Sequence, residues 1–234
     1  MHNRFLIVFL SLALSLFSEG KILNYGARHF EDPFDQPLDY NVWKDAFNHA
    51  PELAPFFIQV QKDLKIATAI ETGTWKAHTT KFFAFVFNHV DTIEIQPSVF
   101  QKAISNLSQF SNIQCHLGSS EVVLSQILPS YADQPLLFYL DAHWLEKWPL
   151  LDELDAISRT HRDNCVIVID DFKVPGRSEF PYDAYANHEC SFEHVKEKLR
   201  KVFSEYDSYY LLPKHKASRA KFVALPKKWN FRPE

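Results

Sequence analysis

From Ile66 onward the hydrophobic positions of this chain follow two alternating rhythms. Ile66–Thr72, Thr92–Ile95, Ile113–Leu117, Leu136–Leu140 and Cys165–Ile169 are short apolar or β-branched runs of strand length. Continuous runs of this kind belong to strands buried on both faces. Between them apolar residues recur at helical spacing: a helix at about Thr79–Asn88, then stripes through Val99, Ala103, Leu107 and Phe110, through Val122, Val123, Ile127 and Leu128, and through Trp148, Leu151, Leu154 and Ile157. Phe172–Cys190 is punctuated by Pro and Gly, and connections of that length usually are functional covers or disordered. A last helical stripe, Phe192, Val195, Leu199 and Val202, precedes Tyr209–Leu212 and Lys221–Leu225, which read as a hairpin. The alternation predicts an α/β fold: a doubly wound, Rossmann-like seven-stranded sheet in order 3-2-1-4-5-7-6, strand 7 antiparallel, with helices on both faces.

The N-terminal third differs. An Arg at position 4, the apolar run Phe5–Phe17 and small residues up to Gly20 have the layout of a secretory signal peptide, and the run is short for a membrane span. Residues 1–20 are therefore expected to be removed and the protein exported; the alternative is a retained N-terminal helix on a cytoplasmic protein. Lys21–Asp39 reads as an extended arm, and Asn41–Leu64, interrupted by Pro51 and Pro55, as two short helices. The arm and helices fill 21–65 and the α/β domain 66–234. Cys115, Cys165 and Cys190 are odd in number and form no framework, so free thiols are expected, those of Cys115 and Cys165 in the core. A net charge of -4 without a basic block argues against nucleic acid as a partner.

The candidate chemistry lies at the strand ends. Strand 1 ends in Glu71, Thr72 and Gly73, strand 2 carries Glu94, and strand 3 runs into Gly118, Ser119 and Ser120. Strand 4 ends in Asp141, Ala142, His143 and Trp144, and strand 5 in Asp170 and Asp171. A Gly at a strand-to-helix turn lets backbone approach a ligand, and an acid about twenty residues later is placed to accept both hydroxyls of a ribose. Asp141, Asp170 and Asp171 would repel one another without a cation, and a hard divalent metal, magnesium first, resolves that conflict. The alternative is that Asp170 caps the loop and Asp171 faces solvent. His143 is a candidate base or a hydrogen-bonded rim histidine. No three-glycine phosphate loop is present, which disfavours a dinucleotide oxidoreductase.

The segments ETGTWKAHTT, TIEIQPSVFQKA, LGSSEVVL, LFYLDAHW and VIVIDDF, in this order over Ile66–Gly176, resemble the motifs of class I S-adenosylmethionine-dependent methyltransferases. They are most similar to the small metal-dependent O-methyltransferases of the catechol and macrolide-sugar type. The resemblance implies a cofactor loop of Glu71 and Gly73 walled by Trp75, ribose binding by Glu94, and an adenine edge at Gly118, Ser119 and the neighbouring Ser120. It also implies Asp141 at the methionine end and on the metal, and a small hydroxyl acceptor such as a catechol or vicinal diol. Two positions depart from the pattern. Ala77 replaces the loop's second Gly, and Leu145 stands where a Lys base often follows the His-Trp pair, leaving His143 as the better base than Lys147. These departures and the export signal also suit a methyltransferase-like protein that binds without turnover.

Overall fold

The computed structural model describes residues 20–25, 43–143, 148–185, 187–215 and 218–234. The expected signal segment up to residue 19, most of the arm, and Trp144, Leu145 and Lys147 lie outside the described residues. Among the described residues no helix is long and apolar enough to cross a membrane.

The strands are β1 (Lys21–Asn24), β2 (Thr68–Thr72), β3 (His89–Glu94), β4 (Ile113–Leu117), β5 (Leu136–Leu140), β6 (Cys165–Ile169), β7 (Ala184–Tyr185), β8 (His188–Glu189), β9 (Tyr206–Leu212) and β10 (Lys221–Pro226). The helices are α1 (Ala54–Leu64), α2 (His78–Val86), α3 (Pro97–Leu107), α4 (Ser120–Ile127), α5 (Leu150–Thr160) and α6 (Phe192–Val202). One sheet runs β1-β9-β10-β6-β5-β2-β3-β4, and β7 pairs with β8 in a separate small ribbon. The expected seven strands are thus corrected to eight. Lys21–Asn24, read as part of a loose arm, pairs in parallel with β9, Lys21 opposite Tyr209 and Asn24 opposite Leu212. Without that added strand, the succession is the expected one read from the opposite edge. β10 is antiparallel to both its neighbours.

Each sheet face is covered, which is why β2, β5 and β6 are buried at every position. On one face Leu154 and Ile157 of α5 and Val195, Leu199 and Val202 of α6 pack on Phe138, Ile167 and Phe222. On the other, α1 and α2 bury an aromatic group in which Phe47 stacks on Phe57 at 4.4 Å and meets Phe82 and Tyr139 edgewise or tilted. The expected helix before Leu64 is α1, whereas Phe47, Asn48 and His49 form a left-handed turn with φ of 57, 57 and 62°. β3 ends at Glu94 rather than Ile95, which is 41% exposed. All three cysteines are free, and the buried pair is Cys165 and Cys190 rather than Cys115 and Cys165.

Candidate functional site

Strand register builds the site. Thr72 lies level with Ile93 on β3 and Leu140 on β5, and Leu140 with Ile169 on β6. The ladder continues one residue further: Gly73 N–H donates to Ile93 O at 2.9 Å, Asp141 N–H to Thr72 O at 3.1 Å and Asp170 N–H to Leu140 O at 3.0 Å. Gly73, Glu94, Asp141 and Asp170 therefore end together, at the point where the strand order reverses between β2 and β5. Sheets of this class place their ligand crevice there. A cavity of about 720 Å³ opens at these ends, within the usual range for small-molecule sites. Gly73, Trp75, Glu94, Gly118, Ser119, Asp141, His143 and Asp171 all line it.

Glu94 is fixed by two backbone donors, Trp75 N–H to Oε2 at 3.1 Å and Gln96 N–H to Oε1 at 2.9 Å. Each oxygen keeps acceptor capacity for a ligand hydroxyl. Ile93, Ile95, Trp75 and Gly118 supply apolar wall nearby. Glu71 does not line the cavity. Its buried carboxylate accepts from Thr80 Oγ1 and, at 2.7 Å, from Thr92 Oγ1, so it braces the loop from beneath. Gly73 has φ 84°, and a Cβ there would lie 2.7 Å from Asp141 O. Ala77 holds φ 63°, a left-handed conformation that a Gly would adopt without strain. Ser119 Oγ donates to Glu121 Oε2 at 2.6 Å, so its hydroxyl hydrogen is directed away from the cavity.

The expected metal set is not assembled. Antiparallel pairing sets Phe222 opposite Ile169, which brings Lys221 beside Asp170. The fully buried Lys221 ammonium donates to Asp170 Oδ1, and Tyr139 OH donates to Asp170 Oδ2. Asp171 Oδ2 accepts from Arg219 at 2.5 Å and Oδ1 from Asn48 Nδ2 at 3.3 Å. Two cationic side chains thus supply the charge that a metal would have supplied. Among the described residues no group of three or more His, Cys, Asp and Glu is arranged to hold a metal ion. Asp141 remains a cavity carboxyl, and burial, with Asp170 and Asp171 beside it, holds its pKa well above the usual carboxylate range. Asp170 is raised to about 6 by burial, against the opposing pull of Lys221.

His143 stacks on Tyr185 at 5.1 Å, and its Nε2 lies 4.0 Å from Asp183 Oδ2. The described residues from Phe172 to Cys190 fold onto the domain, where Asp183, Tyr185 and Cys190 line a second, small cavity beside the main one. Lys173 N–H donates to Cys190 O at 2.7 Å, closing the base of this segment, and Phe172, Val174 and Phe180 are buried. Asp183 is held by Tyr185 OH at 2.5 Å and by Arg219. Trp148 stacks on His194 at 4.7 Å and tilts against Tyr185. The sequence reading missed Asn48, His49, Ser218 and Arg219, which also line the cavity. Lys221 carried one signal: a charged residue directly before the buried run from Phe222. Asn48 and His49 carried none, because a left-handed turn without glycine leaves no pattern.

Buried carboxyls make stability pH-dependent. Burial raises Glu71 and Glu153 to about 7. A folded pKa above the unfolded one means that the native state holds extra protons between roughly pH 4.5 and 7, so this stabilisation is lost as pH rises through that window. Glu153→Gln should match the parent at pH 5 and exceed it by about 3 kcal/mol at pH 8, the scale of a shift of two to three units. Urea unfolding at the two pH values measures this; a parent at least as stable as the variant at pH 8 contradicts it.

No protein-family model and no curated protein matches the chain. Solved structures do. An O-methyltransferase from Bacillus cereus in complex with SAH is similar over 76% of this chain and 82% of its own, at 16% identity and TM-score 0.57. A putative O-methyltransferase from Klebsiella pneumoniae is similar over 75% and 80%, at 17% identity and TM-score 0.54. The O-methyltransferase TomG from Streptomyces achromogenes, involved in tomaymycin synthesis and solved with SAM, is similar over 72% and 77%, at 18% identity and TM-score 0.52. The chain thus has the α/β fold of class I S-adenosylmethionine-dependent methyltransferases, in the form that these O-methyltransferases share.

Proposed function

We propose that the protein transfers the methyl group of S-adenosylmethionine to a hydroxyl of a small molecule. The observation that carries this reading is the joint position of Gly73, Glu94 and Asp141 on one cavity wall at the switch point. Glu94 accepts the ribose hydroxyls, Trp75, Ile93 and Ile95 flank the base, and Asp141 receives the ammonium of the methionine end. S-adenosylmethionine supplies a methyl carried on a sulfonium. The acceptor lies on the side of Asn48, His49, His143 and Arg219, where His143 takes the hydroxyl proton as oxygen bonds to the methyl. Asp183 and Tyr185 keep the imidazole in place. No step is assigned to a metal, because Lys221 and Arg219 already neutralise Asp170 and Asp171. The bidentate-metal argument for catechols and vicinal diols lapses with it, and they remain only the first probes.

The test is transfer of labelled methyl to a panel of phenols, catechols and sugar diols, with and without EDTA. The expected result is product formation unchanged by EDTA and a loss of at least about a hundredfold in kcat for His143→Ala, the scale of general base catalysis. Turnover that requires added magnesium would overturn the metal-free reading. Cofactor binding without transfer to any acceptor would favour a binding protein.

A further inference from the structure

Three successive residues without a glycine, Phe47, Asn48 and His49, hold left-handed backbone. Such backbone is unfavourable for ordinary side chains and persists where a fold or a site requires it. Here the turn brings Asn48 and His49 to the wall of the main cavity. Hydrogen bonds fix how each side chain is turned. Asn48 Nδ2 donates to Asp170 Oδ2 at 3.4 Å and to Asp171 Oδ1 at 3.3 Å. Both partners are carboxylates, which only accept, so the amide nitrogen must face them and Oδ1 takes the other side. His49 Nδ1 lies 2.9 Å from Asp45 Oδ1. That carboxylate also claims a hydrogen, which leaves the lone pair of the neutral imidazole on Nε2. Neither Asn48 Oδ1 nor His49 Nε2 has a hydrogen-bond partner among the described residues, and both side chains are exposed. Two neighbouring residues thus commit their donors to carboxylates and keep acceptors free.

Resting on the methyltransferase reading, we propose that Asn48 and His49 form an amine-recognising subsite: besides the hydroxyl that is methylated, the acceptor molecule carries a protonated amine whose N–H groups donate to Asn48 Oδ1 and His49 Nε2. An ammonium has three hydrogens to give and no lone pair, so it matches a wall of acceptors. The charge at this wall has the same sense. Arg219 lines it, but its Nη1 is shared between Asp171 and Asp183, and Lys221 is held by Asp170. The ion pairs and hydrogen bonds that reach the wall therefore join four carboxylates, Asp45, Asp170, Asp171 and Asp183, to two cations. An ammonium offsets that surplus, and a carboxylate or phosphate adds to it while meeting two acceptors. A neutral side chain gains neither the charge nor the full set of hydrogen bonds. The two residues hold the acceptor molecule, and His143 keeps the proton transfer.

The experiment is calorimetric titration of the S-adenosylhomocysteine complex with tyramine, 4-ethylphenol and 4-hydroxyphenylacetate, phenols that differ in the charge of one side chain. The parent should bind tyramine at least about tenfold more tightly than 4-ethylphenol, the low end for a hydrogen bond to a charged group, and 4-hydroxyphenylacetate most weakly. Two variants, each checked for folding by circular dichroism, place the effect. Asn48→Gly removes Oδ1 and suits φ 57°. His49→Lys replaces the acceptor by an ammonium, and Lys65 at φ 54° shows that this chain accommodates left-handed lysine. In Asn48→Gly the three affinities should draw within about threefold, and in His49→Lys the acid should bind more tightly than the amine. If Asn48→Gly does not fold, His49→Lys at its exposed position decides alone. A parent that binds the three phenols alike or not at all overturns the subsite, as does a preference for tyramine that persists in both variants. A parent that binds no S-adenosylhomocysteine removes the methyltransferase reading itself, a result obtained before any phenol is added.

Discussion

Lys221→Met is expected to destabilise the protein by about 3–5 kcal/mol at pH 8, the scale of removing one partner of a buried ion pair. The Lys221 side chain is fully buried, and its ammonium donates to Asp170 Oδ1 and to Arg219 O at 3.1 Å. Methionine fills a similar volume, so the loss is one of charge rather than packing. Asp170 would keep Tyr139, the Asp171 N–H at 2.6 Å and the weaker Asn48 contact, with the carboxyls of Asp171 and Asp141 beside it. Because burial already raises Asp170 to about 6, protonation can relieve it, and the deficit should shrink at pH 5. Lys221→Met with Asp170→Leu should recover most of the loss, since an apolar pair often replaces a buried ion pair without penalty. Urea unfolding at both pH values checks all three statements. A loss below about 1 kcal/mol at pH 8 would mean that Lys221 does not stand in for a cation.

Gly73→Ala should weaken S-adenosylhomocysteine binding at least about thirtyfold, or roughly 2 kcal/mol. Two effects act at this residue. Its φ of 84° is costly for any side chain, and the added Cβ would lie 2.7 Å from Asp141 O. Ala77 separates them, for it holds φ 63° as an alanine. The conformational part alone is therefore tolerable in this loop, and steric contact decides. That contact is between backbones at the ends of β2 and β5, so relief requires parting the strands that carry Gly73 and Asp141. Ala77→Gly, by contrast, should leave binding within about twofold, as it relieves strain but gives up one buried methyl. Binding by Gly73→Ala within twofold of the parent would contradict the assigned approach.

The centre of the sheet was legible because its strands are buried on both faces: Leu136–Leu140 and Cys165–Ile169 are apolar throughout and were bounded to the residue. Lys21–Asn24 was not, since an edge strand with one apolar pair and exposed ends looks like a loop. The cavity acids were legible for the same reason as the strands, as polar residues ending apolar runs. Their partners were not. Whether Asp170 meets a metal or a lysine depends on the β6–β10 register, and Lys221 lies 51 residues along the chain. Composition can show that three carboxylates need a cation, but not which cation the fold brings. Likewise Ser119 and Ser120 are indistinguishable in sequence, and only the turn into α4 directs one hydroxyl to Glu121 and leaves the other at the cavity.

Titration of the parent and Glu94→Ala with S-adenosylhomocysteine at pH 7 tests the central claim most directly. Glu94 is held by Trp75 and Gln96 with acceptor capacity facing the cavity, and no packing change is expected from its removal beyond the two amides it releases. The account predicts one bound equivalent for the parent and a loss of about 1.5–3 kcal/mol for Glu94→Ala, the scale of hydrogen bonds to a charged acceptor. No binding by the parent, or equal affinity in the two proteins, would contradict it.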